Sequence, residues 1–215
     1  MWFDQTETAH QWNEAVRHLA RVDPVLKRLI QKVGPCTLAP RRDYFVVLCK
    51  AIFTQQISTA VAAVLFGRFR DLFPQRRPTP SSVLEALKSS PASVIRHCGL
   101  SRQKAVYIQD LARHFVDGRI PTRRLARMDD EAVIEALVNV NGIGRWTAEM
   151  FLIFVLNRPD VLPVDDLGLR QGVRELYGID ERPGAQALTA MGEKWRPWRT
   201  VATWYVWRRG QRNDE

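Results

Sequence analysis

Apolar and polar positions along this chain repeat at helical spacing over most of its length. After Ser101, the residues Ile108, Leu111, Ala112 and Phe115 fall at i, i+3, i+4 and i+7, which is one face of a helix. Thr79 before Pro80 and Ser90 before Pro91 read as N-caps followed by proline at the first helical position, and Gly99 as a helix stop. Asp43 opens the apolar run DYFVVLCKAIF, STAVAAVLFGRFRDLF forms the next, and Pro197 is expected to start a last helix, PWRTVATWYVWRR. In that helix Trp198, Val201, Ala202 and Tyr205 share one face, and Thr200, Trp204 and Trp207 roughly the opposite one. No stretch alternates with period two between turn signals. The pattern predicts an all-α chain of roughly ten helices with short loops.

Charge narrows the partner. There are 32 Lys+Arg against 23 Asp+Glu, a net charge of +9 over 215 residues. A basic chain of this kind suits a polyanion such as nucleic acid, and an ordinary basic soluble protein is the plainer reading. The cysteines Cys36, Cys49 and Cys98 are far apart and odd in number, which fits buried free thiols in a reducing compartment and excludes an all-cysteine zinc or iron–sulfur site. The N-terminal MWFDQTETAHQW is too polar for a signal peptide, and the longest apolar runs are too short for a bilayer, so no membrane partner is expected.

The chain contains an internal echo. Gly99-Leu100-Ser101-Arg102-Gln103-Lys104-Ala105 stands in register with Gly142-Ile143-Gly144-Arg145-Trp146-Thr147-Ala148, each between a short helix and a following one. Glycines at 142 and 144 allow a tight turn and close approach of another backbone, and free N–H groups at a helix start attract phosphate. An ordinary helix–helix turn, with Ile143 as a core plug, would look the same. Asp165 and Asp166 in VLPVDDLGLRQGV read, on spacing alone, as N-caps.

Taken together, VNVNGIGRWTAEMF and, after a helix, the proline loop with aspartate resemble the helix-hairpin-helix DNA glycosylases of the HhH-GPD superfamily, most closely the 3-methyladenine DNA glycosylase II (AlkA) type, over roughly residues 40–210. The resemblance implies two helical lobes with the active site in the cleft. These would form a single unit over 1–215, with an approximate central lobe over 55–160 holding the hairpin at 138–148, and a second lobe from 1–54 plus 161–215. The AlkA type can carry an N-terminal β-rich domain; only about 40 residues precede the match here, and they read as helices, a short form.

The resemblance also assigns roles. Asp166 would be the catalytic carboxylate, with Asp165 the cap or orienting residue. Gly142, Gly144, Arg145 and Thr147 would bind DNA phosphate. The main-chain carbonyls of Val138, Val140 and Ile143 would hold a monovalent Na+ or K+ when DNA is bound; no cofactor is otherwise required, and no iron–sulfur cluster is expected. Trp146 occupies the position where bifunctional relatives have a lysine nucleophile, which implies water as nucleophile and unbroken strands. Trp146, Trp207 and Gln55 would line the base pocket, and Gln56 would be the wedge that fills the gap left by a flipped base. Arg208 replaces an aromatic residue of the AlkA type. Lys104, in the first echo, reads as a phosphate contact.

The expected function is hydrolysis of the N-glycosidic bond of alkylated purines in double-stranded DNA, by a monomer, in the bacterial nucleoid or the eukaryotic nucleus. A non-catalytic helix-hairpin-helix module that only binds DNA is the alternative from another class, and a glycosylase of the same fold for other damaged bases is the third. The Asp166, Trp146 and Trp207 set separates the first from the second.

Overall fold

The computed structural model describes residues 12–210; the polar N-terminal stretch 1–11 lies outside them. Among the described residues it is all helical, with twelve α-helices and no strand. None of these helices is long and apolar enough to cross a membrane. Contacts divide the chain into two compact units, residues 41–151 and residues 1–40 with 152–215.

The central unit holds α3 (Tyr44–Thr54), α4 (Thr59–Asp71), α5 (Pro80–Ser89), α6 (Pro91–Cys98), α7 (Arg102–Val116), α8 (Asp130–Val138) and most of α9 (Arg145–Phe154). Its core is aromatic. Phe53 packs on Phe66 and Phe69, Phe69 on Phe73, and Phe45 on Phe115, with ring centroids 5.1–5.3 Å apart. These contacts move the lobe boundary from the expected 54/55 to 40/41. Helix α3 buries Phe45, Leu48, Cys49, Ile52 and Phe53 and packs on α4 and α7, so it belongs to the central unit. At the other end the boundary falls at 151/152, inside α9, and not at 160/161.

Local signals set most helix ends. Thr79 and Ser82 form a reciprocal capping box, the Thr79 side chain accepting from the Ser82 amide at 3.2 Å. Gly99 stops α6 with φ of 64°, a left-handed value that suits glycine. Ser90 makes no side-chain cap bond, although Pro91 does open the helix after it.

The second unit holds α1 (Asn13–Val22), α2 (Pro24–Val33), α10 (Leu167–Tyr177), α11 (Ala185–Gly192) and α12 (Arg199–Trp207). Asp23 is its buried hub. The carboxylate caps α2 through the amides of Val25 and Leu26, and accepts from the Trp195 indole at 2.9 Å, the Tyr177 hydroxyl and the Lys194 ammonium. Burial pushes its pKa up, but the hydrogen bonds from Trp195, Tyr177, Lys194 and Leu26 outweigh that and leave it below the ordinary value.

The last helix departs from expectation twice. It starts at Arg199, not Pro197, because Trp198 has non-helical torsions and its amide closes a turn onto Trp195. It is also buried on both faces: every residue from Thr200 to Val206 is buried. A helix buried all round carries no one-faced polarity for sequence to reveal. It packs against α10 so closely that a Cβ on Gly172 would lie 2.5 Å from Val206 Cγ1.

Candidate functional site

In the second unit, the turn before α10 presents the aspartate pair. Asp166 is the last extended residue, and its own side chain caps α10, Oδ1 accepting from the Leu169 amide at 2.5 Å. The same oxygen accepts from the Trp207 indole Nε1 at 2.8 Å. The capping role expected of Asp165 therefore falls to Asp166. Asp165 is exposed and pairs with Arg170 at 3.0 Å, while Arg170 Nε donates to the Val164 carbonyl and ties down the turn. Trp207 stacks on Phe154, with centroids 5.5 Å apart and planes 18° from parallel.

Two residues beside the Asp166–Trp207 pair escaped the sequence reading. Gly168 leaves the space that Asp166 and Trp207 use; a Cβ there would sit 3.1 Å from Asp166 Oδ1 and 3.6 Å from the indole. Phe154, 37% exposed, looked like one more apolar residue of its helix. Arg208 folds over the Trp204 ring, 3.7 Å from its centroid. Burial depresses the Arg208 pKa, which the nearby Cys36 and Tyr205 groups offset in part.

In the central unit, the turn between α8 and α9 forms the hairpin. Gly142 has φ of 83°, and a Cβ on it would lie 2.2 Å from the Tyr107 ring, so both torsion and space require glycine. Gly144 differs: nothing lies within 4 Å of the position its Cβ would take. No packing within the protein calls for that glycine, and a ligand backbone could approach there. Ile143 is the expected plug, 4% exposed, and its amide donates to the Val140 carbonyl at 3.0 Å. Trp146 is 48% exposed, so about half of the residue stays open to solvent.

Other hairpin side chains are engaged within the protein. The Arg145 guanidinium pairs with Glu131 and Glu149, and Arg145 holds the Glu131 carboxyl below its usual range. Any phosphate contact at Arg145 thus falls to its main chain unless these pairs open. The Gln55 side-chain amide donates to the Gly142 carbonyl at 2.7 Å, which ties the expected pocket-edge residue to the hairpin. Gln56 is exposed and has φ of 59°. Lys104 does not extend outward; its ammonium donates to the carbonyls of Phe53 at 2.8 Å and Gln55 at 2.6 Å, and burial lowers its pKa.

Among the described residues no group of three or more His, Cys, Asp and Glu is placed to hold a metal. The expected cation donors, the carbonyls of Val138, Val140 and Ile143, are neutral main-chain oxygens, and the Val140 carbonyl already accepts one hydrogen bond. Such donors fit a hard monovalent cation and do not fit zinc or iron.

The profile of the HhH-GPD superfamily of base excision DNA repair proteins matches residues 49–197. The chain belongs to this superfamily. DNA-3-methyladenine glycosylase 1 of Schizosaccharomyces pombe is 34% identical over 98% of this chain and 93% of its own length. The solved structure of S. pombe 3-methyladenine DNA glycosylase in complex with abasic DNA superposes with a TM-score of 0.78 at 35% identity, covering 91% of this chain and 96% of that one. A DNA-3-methyladenine glycosidase from Bacillus halodurans gives a TM-score of 0.80 at 34% identity, covering 92% of this chain and 89% of that one. The all-α helix-hairpin-helix fold expected from sequence is thus the fold observed.

Proposed function

We propose that this protein is a monofunctional DNA glycosylase that extrudes an alkylated purine from duplex DNA and hydrolyses its N-glycosidic bond. Membership of a base excision repair superfamily supports the reaction class, and the names of the relatives support the substrate. The observation that carries the mechanism is the Asp166 carboxylate, aimed by two N–H donors, the Leu169 amide and the Trp207 indole.

As the bond between base and sugar breaks, its electron pair leaves with the base and positive charge builds on the deoxyribose. A preoriented carboxylate stabilises that charge without reorganising. Water then attacks the anomeric carbon and loses a proton. An alkylated base is cationic and departs as a neutral molecule, so it needs little acid help. In the second unit Trp207, braced by Phe154, is an electron-rich surface of the kind on which such a base stacks, and in the central unit the half-exposed Trp146 is another, each with a cation–π component of about 0.5–2 kcal/mol. The Gly144 region reads the DNA backbone through main-chain amides, and the carbonyls of Val138, Val140 and Ile143 would hold a Na+ or K+ that adds positive charge beside phosphate.

The test is base release from duplexes each carrying one lesion. Asp166→Asn is expected to keep duplex affinity and to lose excision at least a hundredfold; equal rates for variant and wild type would remove Asp166 from the mechanism. Wild type that binds every duplex and releases no base would favour the non-catalytic binding module. With Trp146 in place of lysine, the product should be an abasic site in an unbroken strand, cut only after alkali. A borohydride-trapped adduct would mean that a lysine acts as nucleophile.

A further inference from the structure

One face of α7 is committed to two loops far from it in sequence. Lys104, in its first turn, donates to the Phe53 and Gln55 carbonyls at the end of α3. One turn on, the Tyr107 ring fills the space beside Gly142. Another turn on, Asp110 Oδ2 accepts from both the main-chain and the side-chain amide of Asn141, each at 2.9 Å. The Gln55 side chain closes the circuit onto the Gly142 carbonyl. The wedge loop and the hairpin are thus clasped to one helix and to each other.

The residue that follows Gln55 makes the clasp consequential. Gln56 bears a side chain yet holds φ of 59°, a left-handed torsion that persists only where the surroundings impose it. Gln55 is held at both its carbonyl and its amide, and this fixes the chain entering that torsion. An ammonium suits the task, with three donors on a flexible stem facing the carbonyl end of a helix.

We propose that Lys104 is a positioning residue for base extrusion: through Gln55 it holds Gln56 in the left-handed turn and sets the wedge in register with the hairpin. This rests on the glycosylase reading and on Gln56 as the wedge.

Lys104→Met keeps the apolar stem and removes the donors. Single-turnover release of 7-methylguanine is compared on two duplexes, with the lesion opposite cytosine or opposite an abasic-site analogue, where little unpairing is needed. The variant should lose about tenfold or more on the first and threefold or less on the second, with undamaged-duplex affinity within twofold of wild type. Lys104→Arg, which retains donors, should recover part of the loss. An equal deficit on both duplexes, or none on either, overturns the proposal. If Lys104→Met fails to fold, Lys104→Gln is read in the same way. Fluorescence of 2-aminopurine beside an abasic-site analogue reports wedge insertion without bond cleavage. Wild type that releases no base but gives this signal would sink the glycosylase reading, and a signal in the variant at least halved would still support Lys104; an unchanged signal would refute it.

Discussion

The two glycine turns of the central unit share the pattern Gly-x-x-Arg-x-x-Ala and a left-handed first glycine, with φ of 64° at Gly99 and 83° at Gly142. Each buries an aliphatic plug, Leu100 or Ile143, and the closing alanine, Ala105 or Ala148. They differ in what occupies the helix start. In the first turn the Ser101 hydroxyl caps the Lys104 amide at 3.2 Å, and the lysine side chain is turned inward onto carbonyls. In the second, Gly144 leaves that place open. One backbone device has become an internal anchor in one copy and a surface that a phosphate can approach in the other. The side chain at the third position separates the two uses.

The largest effect should come from the glycine with least room. Gly142→Ala combines a left-handed torsion with a Cβ driven into the Tyr107 ring, and should cost about 2–4 kcal/mol by thermal unfolding while lowering duplex affinity more than tenfold. Gly99→Ala shares the left-handed torsion, but its Cβ meets only the Leu65 methyls, the nearer at 3.0 Å on a flexible side chain, and it should cost about 1 kcal/mol. Equal losses at the two positions would break the comparison.

Next in size is the third position. Gly144→Glu has space to fold, so stability should stay within about 0.5 kcal/mol while affinity for every duplex sequence falls about tenfold. Ser101→Ala should do the reverse, costing about 1 kcal/mol of stability through the lost cap and leaving duplex affinity within twofold. A large loss of DNA affinity in Ser101→Ala would show that both turns face DNA.

The smallest effect is expected at the shared arginine. Arg145→Ala removes an exposed ion pair with Glu131 and a second pair with Glu149, whose side chain is buried, and should cost about 1 kcal/mol of stability. Titrations at two salt concentrations decide its role: a slope of log affinity against log salt reduced by about one unit would show that the pairs open to let the guanidinium reach phosphate.

Features carried by neighbouring residues were legible in the chain itself. The Thr79–Ser82 region, the Ser101 cap, the Gly99 stop and the amphipathic face of α7 each depend on positions within one or two helical turns. The hairpin was legible for the same reason, since its torsions and its plug lie within a few residues. Asp166 stood out only through resemblance, because a lone aspartate before a helix reads as a cap. The structure does make it a cap, with the Trp207 indole, 41 residues away, as its second donor.

What tertiary structure alone decided is where long side chains end. Nothing near Lys104 in sequence distinguishes an outward phosphate ligand from an inward clasp on carbonyls 49 and 51 residues away. The same holds for Asp110 reaching Asn141, for Arg145 neutralised by Glu131, and for α12, whose two faces are both covered by chain that is distant in sequence. Helix formation is local, so sequence determined the fold class, most helix ends and the hairpin. A charged or polar tip on a flexible stem takes the partner that packing brings within about 3 Å, and that choice exists only once the chain has folded.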